Sequence, residues 1–445
     1  MTALFIFRRD LRLDDNKGLM FALKECDTVI PCFIFTPEQI EHNPYRSDHC
    51  LQFMIESLED LEEQLKDRGG KLHLFHDHPE IVVEKCIQKL KVDHVVVGRD
   101  YTPYSQKRDR KIEAMCKKHQ VTFTIVDDVL LNPPEETLKS DGKPYSIFTP
   151  YFKNASRIDV DEPKKNRAEN YYTKTIEFAQ NHEIYKKILP KRNSDPLIRG
   201  GRTAALKILK GIADFKNYGK ERDFPEKNAT THLSAYLKFT DISPREVYYK
   251  ISESLGKHHE LIRALYWRDF FSHIAFFFPH VFEGSFHSKY DKIKWSYDKK
   301  DFARWCEGTT GFPIVDAGMR ELNETGFMHN RVRMIVASFL TKDLHIDWRL
   351  GEKYFAQHLI DYDPAVNNGN WQWSASTGCD AQPYFRIFNP WSQQQKFDPD
   401  CVYIKQWVPE LKKASIKEIH SGEASTPMLD HSKEAKIALK MYKQI

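Results

Sequence analysis

The segment Ala229-Thr230-Thr231-His232-Leu233-Ser234-Ala235 sets two hydroxyls side by side and a third within one helical turn. If a helix opens there, Thr230, Thr231 and Ser234 join its free backbone N–H groups as a receptor for a pyrophosphate. Plain helix capping uses the same residues, and spacing alone favours capping. On a helix starting at His329, the 3.6-residue period puts Asn330, Arg333, Met334 and Ala337 on one face, a polar and basic stripe of the kind that ordinarily meets solvent. Asn367 offers an amide that both donates and accepts hydrogen bonds. Standing before Asn368-Gly369, it also fits a turn, and the local sequence favours the turn.

Other chemistries are excluded. His76-Asp77-His78 and His258-His259 lack further ligands at useful spacing, and the eight cysteines contain no C-x-x-C pair, so neither a metal site nor a disulfide framework is expected. The formal net charge of +4 is too small to establish nucleic-acid binding, which must rest on local residues. Hydrophobic residues make up 41% of the chain, but charges interrupt them everywhere and no run would cross a bilayer. The short apolar opening Leu4 to Phe7 runs into Arg8 and Arg9, which suits a first strand and not a signal peptide. A soluble monomer in the cytoplasm, or in the nucleus of a eukaryote, is expected.

These groups need a frame. Short apolar segments at Leu4 to Phe7, Val29 to Phe35, Leu72 to Phe75, His94 to Gly98 and Thr122 to Val126 alternate with helical patterns, which predicts a parallel, doubly wound α/β sheet. After the first strand comes Arg8-Arg9-Asp10-Leu11-Arg12-Leu13-Asp14-Asp15-Asn16, with no glycine-rich phosphate turn, so dinucleotide binding on this sheet is not indicated. The pattern weakens from 131 to 199, through Pro133-Pro134 and Asp141-Gly142, and reads as an interdomain connector between an α/β domain at 1–130 and a helical domain at 200–445. Helices are expected at Arg202 to Lys210, Pro244 to Leu255, Glu260 to Phe278, Asp301 to Glu307, Val315 to Glu324, His329 to Leu340 and Trp348 to Leu359.

Within the helical half, Trp267-Arg268-Asp269-Phe270, Met328-His329-Asn330-Arg331-Val332-Arg333-Met334 and Asn367-Asn368-Gly369-Asn370-Trp371-Gln372-Trp373 occur in order, followed by Asp380-Ala381-Gln382-Pro383-Tyr384-Phe385-Arg386. Together with Arg8-Arg9-Asp10-Leu11-Arg12 and Arg99-Asp100-Tyr101-Thr102-Pro103, they resemble the class I branch of the photolyase/cryptochrome family over essentially the whole chain. The resemblance implies an α/β antenna domain and an all-α C-terminal domain holding a folded-back FAD. It places Tyr218, Thr230, Thr231, Ser234, Arg333, Asp361, Asp363 and Asn367 at that cofactor, with Arg333 paired to Asp361 and Asn367 facing flavin N5. Trp371, Trp348 and Trp295 match the family's electron-transfer chain, although buried tryptophans in a helical domain need no such role.

The implied partner is damaged DNA. Trp267 and Trp373 match the aromatic walls that grip an extruded dimer, Asn330 and Met334 line the same pocket, and Arg331, Arg386 and Lys396 are candidate phosphate contacts. The implied activity is blue-light repair of cyclobutane pyrimidine dimers by an electron from excited, reduced FAD. An antenna chromophore of folate or deazaflavin type completes the set. One position departs: the family usually carries a carboxylate three residues before the tryptophan of Trp-Arg, and this chain has Ala264, with water or Glu260, one turn earlier, as the candidate substitutes. Two other readings compete. Repair of (6-4) photoproducts calls for histidines where Asn330 and Met334 stand, and cryptochrome signalling calls for a changed Asn367 and a long C-terminal tail.

Overall fold

The computed structural model describes residues 1–445, and the chain divides into two compact units. The first comprises Met1–Pro144, Thr149–Asp214 and Thr231–Phe276; the second comprises Tyr145–Phe148, Phe215–Thr230 and Phe277–Ile445. The sheet unit therefore takes in most of the 131–199 segment and the helices Arg202–Lys210, Pro244–Leu255 and most of Glu260–Phe277.

Five parallel strands build the first unit: β1 (Thr2–Phe7), β2 (Thr28–Phe35), β3 (His73–His76), β4 (His94–Gly98) and β5 (Thr122–Val126), in the order β3-β2-β1-β4-β5. Residues 3–7 of β1 and 29–35 of β2 are buried without alternation, as strands covered by helices on both faces require. Pro31 is tolerated in β2 because pairing with β3 begins only at Cys32. The segment 170–180 lies along the sheet through isolated bridges, Val29 with Tyr171 and Leu74 with Gln180.

The loop after β1 is a staple. Arg12, fully buried, donates to Asp128 Oδ2 at 2.5 Å, while Arg245 reaches Asp128 Oδ1 at 2.6 Å and Asp15 Oδ2 at 2.8 Å. Two guanidinium groups and two carboxylates pair with one another inside the unit, the condition under which buried charge is tolerable. Asn16 then caps the helix Lys17–Glu25 by accepting from Leu19 N.

The second unit packs the helices Pro313–Thr325, Asn330–Ser338, Trp348–His358 and Pro364–Ser374 around one apolar cluster containing Met319, Val332, Phe355 and Trp371. The helix expected from His329 to Leu340 runs from Asn330 to Ser338 and widens into a π turn, Phe339–Asp343. There the Thr341 hydroxyl donates to Ala337 O at 2.9 Å, and the widened turn carries Lys342 as a buried residue. Asn367-Asn368-Gly369 is not a turn. Asp363 caps the helix by accepting from Ala365 N and Val366 N, Pro364 opens it, and Asn368 is tied sideways to Val281 O at 2.9 Å.

Candidate active site

Gly351 lets two helices of the second unit approach: a Cβ there would lie 2.2 Å from the Trp371 ring. Across this contact the Asn367 amide nitrogen donates to Glu352 Oε1 at 2.8 Å and to the Glu352 carbonyl oxygen at 3.1 Å. A backbone carbonyl only accepts, so the amide orientation is fixed by its partner. Both amide protons are spent, which leaves Asn367 only its Oδ1, an acceptor, to offer a ligand. Burial pushes the Glu352 carboxyl up to about 7, and the bond from Asn367 draws it back. Glu352 is a site residue that the sequence did not reveal; its one signal was a position four residues after Trp348 on the same helix face.

Arg333 uses all three nitrogens. Nε donates to Met328 O at 2.7 Å, and Nη1 and Nη2 donate to Asp361 Oδ1 and Oδ2 at 3.1 and 3.0 Å. This bidentate fork fixes the guanidinium plane. On the same helix Asn330 is exposed and Met334 half-buried, with the Asn330 amide 3.8 Å from the Met334 sulfur, whereas Ala337 turns into the core. Asp363 serves as the cap that starts the helix bearing Asn367.

The three tryptophans share the apolar cluster: Trp348 and Trp371 are buried in it and Trp295 packs against it, half-buried. The Trp371 ring lies 4.9 Å from Phe355 and 6.2 Å from Trp305. The Trp348 indole N–H is buried and meets no acceptor among the protein's own groups. Trp373 is half-buried at the end of the helix Pro364–Ser374. Of the expected phosphate contacts, Arg386 and Lys396 are exposed, while Arg331 already pairs with Asp223 at 2.9 Å and lies 4.3 Å over the Phe397 ring. Phe385, beside Arg386, is 62% exposed, an aromatic with no core to fill.

Tyr218 and Thr230 fall in the second unit, Thr231 and Ser234 in the first. The helix after them opens at Leu233, with Thr231 Oγ1 accepting from Leu233 N at 3.4 Å, and none of these four side chains is buried. In the first unit Trp267 is half-buried, with its ring 5.7 Å from Phe271, and Ala264 is exposed one turn earlier. No group of three or more histidines, cysteines or carboxylates could hold a metal ion.

Within the second unit, an oriented amide left with an acceptor and a forked arginine–carboxylate pair suit a polar heteroaromatic ring such as a flavin. The class so defined is a flavoprotein with an α/β unit and a helical unit. Residues 3–168 match the family described as DNA photolyase, and residues 261–444 match the FAD binding domain of DNA photolyase. The chain belongs to the DNA photolyase/cryptochrome family. It is 36% identical to a deoxyribodipyrimidine photo-lyase of Vibrio cholerae, across 98% of each chain. An archaeal photolyase from Sulfolobus tokodaii, whose crystal structure holds two FAD molecules, superposes with a TM-score of 0.91 at 43% identity over 100% of both chains. A Synechocystis cryptochrome superposes at 0.90 with 28% identity, over 99% of each chain.

Proposed function

We propose that this protein is a light-driven lyase that splits cyclobutane pyrimidine dimers in DNA, with FAD as its cofactor. The observation that carries the reading is the Asn367 amide, whose N–H groups are consumed by Glu352 so that only the acceptor Oδ1 is left for a ligand. An acceptor there favours a ring nitrogen that bears hydrogen, which selects the reduced cofactor. Bound FAD supplies the photoexcitable one-electron donor.

The chain positions and shields. Tyr218, Thr230, Thr231 and Ser234 hold the nucleotide part, Asp363 fixes the helix that presents Asn367, and the Arg333–Asp361 fork keeps one guanidinium plane at the flavin. Trp371, Trp348 and Trp295 carry an electron inward from solvent when the cofactor is oxidised. Trp267 and Trp373 stack on the extruded dimer, Asn330 and Met334 contact it, and Arg386 and Lys396 hold flanking phosphates. Stacking contributes about 1–3 kcal/mol per base, enough to offset much of the cost of unstacking an already distorted lesion.

An antenna chromophore belongs to the first unit, where strand order reverses between β1 and β4. A folate, a deazaflavin or, as in the Sulfolobus tokodaii photolyase, a second FAD are the candidates. No helix is long and apolar enough to cross a membrane, and the partner is DNA.

The missing carboxylate at Ala264 gives a signalling, cryptochrome-type role its one specific support. Blue-light illumination of reduced protein with an oligonucleotide bearing one dimer separates the two. Repair predicts loss of the dimer in light only, with a (6-4) lesion untouched; persistence of the dimer in light favours signalling.

A further inference from the structure

The helix His431–Lys443 of the second unit is two-faced. Ala438 and Tyr442 are buried on one side, while Lys433, Lys436, Lys440 and Lys443, spaced three and four residues apart, stand exposed along the other. Lys433 has an acidic neighbour, Asp430 at 3.8 Å, and the carboxylate of Glu434 on the same helix is taken by His345 at 2.8 Å. The other three lysines form no ion pair, so the outer face carries an uncompensated row of positive charge.

Tyr442 fixes what lies beside that row. Its ring meets Trp295 edge-on at 6.2 Å and Tyr290 at 6.0 Å, which sets the segment 288–300 alongside the helix. The segment adds Lys289, Lys292 and Lys294, all exposed, with the Lys289 ammonium 4.7 Å from the centre of the Tyr290 ring. Its acids are engaged, Asp291 with Arg349 at 3.1 Å and Asp298 as the cap of the helix Lys299–Glu307. Two apolar side chains interrupt the lysines, Tyr297 at 68% and Ile437 at 50% exposure, and Trp295 itself is half-buried. A polyanion such as DNA would need the lysines alone. An indole and open apolar groups set among them suit a folded partner with an acidic rim around an apolar redox centre.

Resting on the flavin-relay reading above, we propose that this surface docks a small acidic one-electron carrier protein, which refills Trp295 after the indole has passed an electron toward the flavin. The reduced carrier loses one electron, the Trp295 radical cation becomes neutral indole, and no proton moves and no bond is made or broken. The lysines steer the carrier by charge, and the apolar groups bring its redox centre against the indole.

Flash photolysis of the oxidised, FAD-loaded protein tests this by following the decay of the tryptophan radical with one of two reduced carriers of similar size, an acidic plastocyanin or the basic cytochrome c. At low salt plastocyanin is expected to refill the indole roughly 10–10²-fold faster, at a rate that saturates as the complex fills. The advantage should fade as the screening length falls from about 30 Å in roughly 0.01 M salt to about 10 Å in roughly 0.1 M. The double variant Lys436→Glu/Lys440→Glu should slow plastocyanin about 10-fold and speed cytochrome c, while chemically reduced protein still repairs dimers at the wild-type rate. Equal rates for the two carriers, or rates untouched by the double variant, overturn the docking surface and leave the relay standing. Weaker binding of undamaged DNA by the double variant, with plastocyanin kinetics unchanged, assigns the lysines to DNA instead. The absence of any tryptophan radical overturns the relay itself, and the docking surface with it.

Discussion

The amide of Asn367 is turned by Glu352: its two N–H groups meet one carboxylate oxygen and one main-chain carbonyl of the same residue, at 2.8 and 3.1 Å. The consequence is directional, since the amide can then offer a ring cofactor only an acceptor. Asn367→Leu removes it. The variant is expected to retain FAD but to reoxidise faster, with the reduced form losing about 0.5–1.5 kcal/mol, the net worth of one hydrogen bond. Spectroelectrochemical titration of wild type and variant checks this.

Glu352 also gives a pH signature. Its folded value of about 7 lies above the ordinary 4.5 because burial disfavours the charged carboxylate. Between these values the folded protein holds a proton that the unfolded chain has lost, so the contribution is full below about 4.5 and disappears as pH rises through about 7. Glu352→Gln abolishes that dependence. Relative to wild type, the variant is expected to gain on the order of 3 kcal/mol on going from pH 4.5 to pH 8, as measured by denaturant melts.

Asp361→Asn leaves the forked guanidinium of Arg333 facing a neutral amide. Removing one partner of a buried pair costs about 3–5 kcal/mol; Arg333 keeps some contact with water, so roughly 1–3 kcal/mol is expected here. The loss should appear as a lower FAD content in purified protein, with secondary structure intact by circular dichroism.

Ala264 is exposed, one helical turn before Trp267, so Ala264→Glu meets no packing obstacle. Restored hydrogen bonds to the dimer bases are expected to tighten binding of dimer-containing DNA by about 1–3 kcal/mol, leaving undamaged DNA unaffected. Fluorescence anisotropy with the two oligonucleotides measures the difference, and equal or weaker affinity would place the lesion elsewhere.

Arg386→Ala and Lys396→Ala should each weaken DNA binding and lower the slope of log K against log salt by about 1. Arg331→Ala should change that slope less, because its guanidinium is already held by Asp223. Salt titrations of binding distinguish the three.

Much of the scaffold is legible in the chain because its signals are local. Apolar runs bounded by polar residues mark all five strands, and the helices Arg202–Lys210 and Pro244–Leu255 have the ends that periodicity predicts. The helix Pro364–Ser374 is harder to read because Asn367, Asn368 and Gly369 are poor helix formers; only Asp363-Pro364 announces it. The ion network of Arg12, Asp128 and Arg245 is not legible, because its partners lie 116 and 117 residues apart and owe their meeting to tertiary packing. Glu352 is missed for a related reason. Its importance comes from the missing Cβ at Gly351, which brings two helices close enough for an amide to be oriented.

The central claim is that light moves an electron from reduced FAD to a dimer held by this protein. The excited-state lifetime of the reduced flavin, measured with dimer-containing and undamaged oligonucleotides, reads that event itself. The lifetime should shorten only with the dimer present, and each turnover should return intact pyrimidines and reduced cofactor. An unchanged lifetime with the dimer demonstrably bound would contradict the account.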